Sequence, residues 1–173
     1  TTLFRSLLCI LGLQRAARFY LDQGAAGLQK CGDPLAQFQL LRAGAAIRIM
    51  WREWDRAIAD GTQAVQAARG LGDPSRELFS ILQQCSASLY SGRHAGAGDH
   101  TKELLAKAQQ VGNAQYAGWS SSMLAALTLR CGEASAATAP AQRAYELAVK
   151  SHDMLGEIFN AGLLSAAALH VRD

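Results

Sequence analysis

The sequence is poor in the residues that mark several large classes of protein. Only 3 of its 173 residues are proline and 18% are charged, whereas 50% are hydrophobic. A chain of this length and composition amounts to one domain and can bury a core. The longest apolar stretches, LLCILGL and AGLLSAAALHV, are too short to span a bilayer. We therefore expect a folded protein that does not enter a membrane.

Cysteines and basic residues are also few, and they are scattered. The four cysteines have no C-x-x-C spacing and occur in apolar helical contexts, where a free thiol behaves as a small hydrophobic group. This usage is typical of a reducing compartment, so we expect a cytoplasmic protein. Lys and Arg are spread along a chain of net charge +3, which forms no polybasic segment for nucleic acid or anionic lipid.

Motifs for catalysis and for cofactor binding are missing as well. The chain has neither a G-x-x-x-x-G-K-[ST] loop nor a G-x-G-x-x-G turn after a strand, so nothing predicts a nucleotide cofactor. His94, Asp99 and His100 lie close together in GRHAGAGDH, but their spacing matches no standard zinc site. Ser, His and Asp occur without a pattern that predicts a triad. We expect a protein that is not an enzyme and holds no metal or cofactor.

The sequence does contain an internal repeat. Gly-Asp-Pro begins at Gly32 and again at Gly72, and the same spacing leads on to Gly112 and His152. A fixed period in this range is the signature of a solenoid built from stacked units. Two further series keep this period without insertions: Gly12, Arg52, Gly92 and Gly132, and Ala17, Ala57, Ala97 and Ala137.

Each Gly-Asp-Pro combines the end of one helix with the start of the next. Gly can end a helix in the left-handed conformation, Asp can cap the following helix, and Pro suits its first turn. Apolar residues between Pro34 and Trp51 recur at helical spacing, and β-branched residues are sparse. We expect the sixth helix to be ordered only from Asp99, because Gly96 and Gly98 weaken its first half. The nine predicted helices are 3–11, 14–30, 34–50, 54–70, 74–91, 95–111, 114–131, 134–151 and 154–171.

These elements predict an all-α, right-handed solenoid of antiparallel helix pairs. We expect a single domain over residues 7–173, with about four and a half pairs. Its repeats fall near 1–32, 33–72, 73–112, 113–152 and, as a partial unit, 153–173. The glycines in the middle of each repeat predict a tighter turn there than between repeats.

The small residues of this repeat resemble those of the tetratricopeptide family. The family's second-helix alanine is kept in four successive repeats, beginning with Ala17, whereas its second-helix aromatic is lost. Its large first-helix position is Leu41, Ile81 and Ser121 here. The 40-residue unit ending in Gly-Asp is similar to repeats at the C-terminal end of large bacterial signalling proteins. Examples are regulatory ATPases, LuxR-type activators and class III adenylate cyclases.

This resemblance implies a non-catalytic module that binds a protein or peptide in a concave groove, as a scaffold or sensor arm of a larger signalling protein. The first helix of each pair would line the groove. Phe79 and Phe159 fit packing between repeats better than ligand contact, and Trp119 fits both. Polar side chains in the groove, such as Arg42, are better candidates for ligand contact. The predicted partner-binding residues are Arg42, Ile49, Phe79, Gln83, Ser86, Tyr90, Trp119, Ser122, Met123 and Phe159.

Two alternative functions stay open. The last predicted helix has no pair, so its apolar face, in IFNAGLLSAAAL, can stack on another copy in a regulatory self-association. The segment WREWDR places Trp51 and Trp54 among Arg48, Arg52 and Arg56, a combination that can stack on nucleic-acid bases. Stacking of Arg on Trp within the fold explains this cluster better, so nucleic acid is the weaker alternative.

The first six residues, TTLFRS, call for a separate explanation. The nucleotide string ACGACGCTCTTCCGATCT encodes them, and it matches a common sequencing-library adapter. We therefore expect residues 1–6 to be an assembly artefact joined to a fragment of a longer protein. A genomic read that encodes TTLFRS across this junction would refute the explanation.

Overall fold

The computed structural model describes residues 14–170, apart from the side chains of residues 14 and 28–31. This part of the chain contains helices and turns but no strand, which confirms the predicted all-α class. The predicted helix at 3–11 and the segment 1–6 lie outside the described residues. The helices are α1 (Gln14–Cys31), α2 (Pro34–Met50), α3 (Trp54–Gly70), α4 (Pro74–Tyr90), α5 (His94–Gln110), α6 (Ala114–Arg130), α7 (Ala134–Lys150) and α8 (Met154–His170).

The other eight predicted helices are present, each within one residue of its expected bounds. The expectation of a late start for α5 was wrong, because this helix begins at His94 and not at Asp99. In the first turns of α5, Ala97 is only 1% exposed. A Cβ placed on Gly98 would touch Leu127 at 3.8 Å, so this stretch packs against α6. Tertiary packing outweighs the low helix propensity of the two glycines.

Residues with positive φ, spaced by 20 positions, separate all of these helices. Arg52 (φ 60°) and His152 (φ 55°) take this conformation, as do five glycines with φ between 62° and 82°. The turns inside and between repeats are alike. The turn inside a repeat, at 51–53, and the turn between repeats, at 71–73, each cover three residues. The expectation of a tighter turn inside the repeat was therefore wrong. The five glycines are Gly32, Gly72, Gly92, Gly112 and Gly132.

Each turn from residue 51 onward also contains a backbone hydrogen bond that spans five residues. Asp73 N donates to Ala68 O over 3.3 Å, and Asn113 N donates to Ala108 O over 2.8 Å. Such a bond, together with a left-handed residue, defines the Schellman motif that ends a helix. The remaining donors, in the same arrangement, are the amides of Glu53, Arg93, Glu133 and Asp153.

The turns differ in how the next helix is capped. Between repeats, Asp33 Oδ1 accepts from Leu35 N at 2.9 Å, and Asn113 Oδ1 accepts from Tyr116 N at 3.1 Å. Asp73 and Asp153 cap their helices in the same way. Inside repeats, Glu53, Arg93 and Glu133 precede their helices without a side-chain cap. This confirms Gly-Asp as a helix stop followed by a helix cap.

The chain divides into two compact units, Thr1–Ala87 and Ser88–Asp173, with the boundary inside α4. In the first unit, Phe38 of α2 packs against Ala64 and Ala68 of α3. On its other side, α2 packs against α1 through Ile47, which belongs to the same buried cluster as Ala17. Consecutive helices thus pack on their neighbours, as expected for helices joined by short turns.

In the second unit, α5, α6, α7 and α8 also pack in chain order. In addition, the first helices of successive repeats, α6 and α8, contact each other, whereas the second helices α5 and α7 do not. The stack within this unit is therefore closed on the side of the first helices and open between the second helices.

Small residues at the repeated positions let the helices approach closely. The alanine series that begins at Ala17 and recurs once in each repeat is at most 1% exposed throughout. A Cβ on Gly118 would lie 3.2 Å from the Cβ of Leu147 and 3.7 Å from the carbonyl oxygen of Ala144. The close contact of α6 with α7 at this point therefore depends on a residue without a side chain.

Arg52→Gly is expected to raise the free energy of unfolding by about 1 kcal/mol, because glycine adopts a positive φ without steric cost. The Arg52 side chain is exposed, so few contacts are lost. Gly72→Ala, at φ 64°, is the matched control and is expected to lower the same free energy by about 1 kcal/mol. Urea denaturation followed by circular dichroism measures both changes. An Arg52→Gly variant that is less stable than the wild type would contradict this account of the turn.

Candidate functional site

Three predicted site residues of the first unit lie together on α2 and α4. The Arg42 guanidinium lies over the Phe79 ring, 5.2 Å from its centroid. Its Nε donates to Gln39 Oε1 at 3.3 Å, and Gln83 Nε2 donates to the Arg42 carbonyl at 3.1 Å. These contacts hold the two first helices side by side and orient the guanidinium on the ring. We call Gln39, Arg42 and Phe79 the Arg42 cluster.

The remaining predicted residues of this unit differ in exposure. Ile49 and Ser86 are half-buried, and the Ser86 hydroxyl donates to Leu82 O at 2.9 Å. Gln83 is only 8% exposed, and its Oε1 is buried with no hydrogen-bond partner in the part of the chain that the structure describes. Gln83 therefore serves chiefly to join α4 to α2.

In the second unit, α6 and α8 bring Trp119 and Phe159 together. Their ring centroids are 5.7 Å apart, with the planes tilted by 37°. Trp119 Nε1 donates to Asp153 Oδ2 at 2.8 Å, and Gln115 Nε2 donates to the same oxygen at 3.1 Å. Asp153 Oδ1 accepts from Gly156 N, so one carboxylate both caps α8 and positions the indole. We call Trp119, Phe159 and Asp153 the Trp119 cluster.

Other predicted residues of the second unit lie at different depths. Ser122 is fully buried and its hydroxyl donates to Gly118 O at 3.0 Å, while Met123 is 3% exposed. Tyr90, in contrast, is 44% exposed and lies under the Arg130 guanidinium, 5.3 Å from the ring centroid. In this unit, accessible surface is thus available at Tyr90 and the Trp119 cluster, and not at Ser122.

Three of the aromatic and basic residues in and near WREWDR contact other residues of the first unit. Trp51 packs against the α1–α2 core, with Arg18 over its ring at 5.0 Å. Arg48 pairs with Asp60, and burial lowers the pKa of Arg48 from its usual value. Arg56 pairs with the residue before its own helix at 3.5 Å. These contacts support packing of Arg and Trp within the fold as the explanation of this cluster, and the nucleic-acid alternative stays a prediction.

A cavity of about 550 Å³ lies between α5 and α7 above α6, where the second helices stand apart. We call it the outer cleft. Sequence reasoning did not find it, because it depends on the distance between the second helices of two successive repeats. The residues that line it come from all three helices: Gly98, Thr101, Lys102, Leu105, Ser120, Ser121, Leu124, Leu127, Ala139, Pro140 and Arg143.

Among residues 14–170, no cluster of three or more His, Cys, Asp or Glu side chains is arranged to hold a metal ion. The His94 and Cys131 side chains lie 3.7 Å apart at the surface. Cys85 is a buried free thiol and Cys131 an exposed one. No helix in this part of the chain has the length and apolar character needed to cross a bilayer.

Comparison with known proteins assigns no family. The chain matches neither a protein-family model nor a curated protein. The Arg42 and Trp119 clusters place guanidinium and aromatic groups on first helices in fixed orientations, a chemistry suited to recognition of a partner.

We expect Trp119→Phe to lower the free energy of unfolding by about 1 kcal/mol, since an aromatic ring remains and the hydrogen bond to Asp153 is lost. Asp153→Ala is expected to cost more, because it also removes the cap of α8. Adding Trp119→Phe to Asp153→Ala is expected to change stability little. Urea denaturation of the single and double variants measures this coupling. Strictly additive effects would show that the indole does not depend on the carboxylate.

Proposed function

We propose that the chain is a non-catalytic, tetratricopeptide-like module that binds a protein or peptide along its first helices. It would serve as the scaffold or sensor arm of a larger signalling protein. One observation carries this proposal: Phe79, Trp119 and Phe159, at the same position of successive repeats, are half-buried on first helices, and each ring lies against a guanidinium or another ring. Each ring is thus anchored in the fold while part of its surface remains accessible.

Anchored aromatics are suited to binding for two reasons. Trp, Tyr and Arg are the residues that most often dominate the energy of protein interfaces. A side chain already held in position loses little rotational freedom when a partner arrives, so more of the contact energy appears as affinity. Trp119 meets this condition through Asp153, and Arg42 meets it through Gln39 and Phe79.

The proposed location is the cytoplasm. Cys85 and Cys131 are both free thiols, which is the usual state of cysteine in a reducing compartment. The proposed partner is a segment with an apolar stripe, either an amphipathic helix or an extended peptide, because each unit presents an aromatic ring on a first helix and Arg42 lies over the ring of the first unit.

Peptides selected from a random library against the folded chain provide a defined test. We expect Arg42→Lys or Phe159→Leu to weaken the selected peptides at least about tenfold, because Lys cannot stack like Arg and Leu lacks the ring. The two variants test the two units separately. Fluorescence anisotropy with a labelled peptide measures the affinity.

Val149→Ala is the matched control, since Val149 is 45% exposed on the second helix α7. It is expected to leave peptide affinity unchanged. Thermal unfolding of all three variants checks that the fold is kept. Selected peptides that bind Arg42→Lys and Phe159→Leu as tightly as the wild type would argue against the first helices as the binding surface.

The surface of α8 favours self-association as a second candidate function. Met154, Leu155, Ile158 and Leu169 are 65–69% exposed, and their spacing places them on one side of the helix. Clustered exposed apolar residues of this size mark interaction surfaces in many proteins. A second copy that presents the same helix would cover this face.

Ile158→Glu is expected to shift the chain toward the monomer, because a carboxylate on the α8 face would lose its hydration in a dimer. Val149→Glu places the same charge on α7, where Val149 is 45% exposed, and serves as the control. Sedimentation equilibrium over a range of concentrations measures the change. A wild-type chain that stays monomeric at every concentration would rule out this second function.

A further inference from the structure

The interior of the outer cleft is apolar although three hydroxyl groups line it. Thr101 Oγ1 donates to Ala97 O at 2.7 Å, and Ser120 Oγ donates to Thr101 O at 3.0 Å. Ser121 Oγ donates to a backbone carbonyl of its own helix. With these donors used, the surface left to an occupant is formed largely by Leu105, Leu124, Leu127 and Pro140.

Comparison with the preceding repeat shows how this cleft differs. At the same register, one repeat earlier, Gln84 Nε2 donates to Thr62 Oγ1 at 2.7 Å and joins α4 to α3. In the repeat that forms the outer cleft, Leu124 stands in place of Gln84 and Lys102 in place of Thr62. Leu124 is 45% exposed, so the polar bridge of one repeat is replaced in the next by an open apolar surface beside a cation.

Two cations flank the outer cleft from opposite walls. Lys102 belongs to α5 and Arg143 to α7, and both are exposed. In the sequence, Lys102 precedes Arg143 by about one repeat. This spacing places the two cations at the same level of the two walls. No Asp or Glu lines the cleft, and within the described part of the chain neither cation has an ion-pair partner.

We propose that the outer cleft binds a small amphipathic carboxylate, with its apolar tail on Leu124 and Leu127 and its head between Lys102 and Arg143. The volume of about 550 Å³ is typical of cavities that bind small molecules. Arg presents a planar set of donors that matches a carboxylate, and Lys adds a second positive charge. The two cations of this site belong to second helices, and no residue of the Arg42 or Trp119 cluster lines the cleft.

Isothermal titration calorimetry with decanoate tests the proposal. We expect saturable binding at one site per chain, weakened about tenfold by Arg143→Gln. Lys102→Thr combined with Leu124→Gln recreates the pair found at Thr62 and Gln84, and is expected to abolish binding while preserving the fold. Decyltrimethylammonium, which has a tail of nearly the same length and the opposite charge, is expected not to bind.

Lys150→Gln is the matched control, because it removes a positive charge from α7 outside the outer cleft. Its affinity for decanoate is expected to equal that of the wild type. If the double variant unfolds early, Lys102→Gln replaces it, with an expected loss of about tenfold. Absence of saturable binding, equal binding of the cationic analogue, or unchanged affinity in the cleft variants would each overturn the proposal.

Discussion

The reversal of the chain after each helix depends on one backbone residue in the left-handed conformation. Such a residue recurs every 20 positions from Gly32 to His152. From residue 51 onward, the amide that follows it donates to the carbonyl five residues back, which ends the helix and directs the chain into the next one. Because the turns are alike and recur every 20 positions, helices α2 to α8 all have 17 residues, and residues one repeat apart fall at the same place along their helices.

Uniform register has consequences for both proposed surfaces. Residues one repeat apart occupy equivalent places, so the alanines that begin with Ala17 are buried in every repeat and allow close helix packing. By the same rule, Trp119 and Phe159 meet between α6 and α8. In the second unit the first helices touch and the second helices separate. One arrangement therefore generates an aromatic surface on one side and the outer cleft on the other.

The fold could be predicted because its turns depend on local chemistry. Glycine in the left-handed conformation and Asp at a helix cap leave a signal in sequence, and the period identified Arg52 and His152 where no glycine marks the turn. The depth of a side chain was harder to predict, since it depends on the rotation of each helix about its axis. Ser122 is fully buried, whereas Trp119, three positions earlier, is half-buried. The outer cleft depends on tertiary spacing, although the change from Gln84 to Leu124 was a visible signal.

The hydrogen bonds that close the turns are the most direct place to test this account. Their donors are the backbone amides of residues 53, 73, 93, 113, 133 and 153. Hydrogen exchange followed by NMR measures the protection of each amide. The account predicts that all six exchange slowly, like amides inside the helices, although they lie between helices. Rapid exchange at these positions, as in open loops, would contradict it.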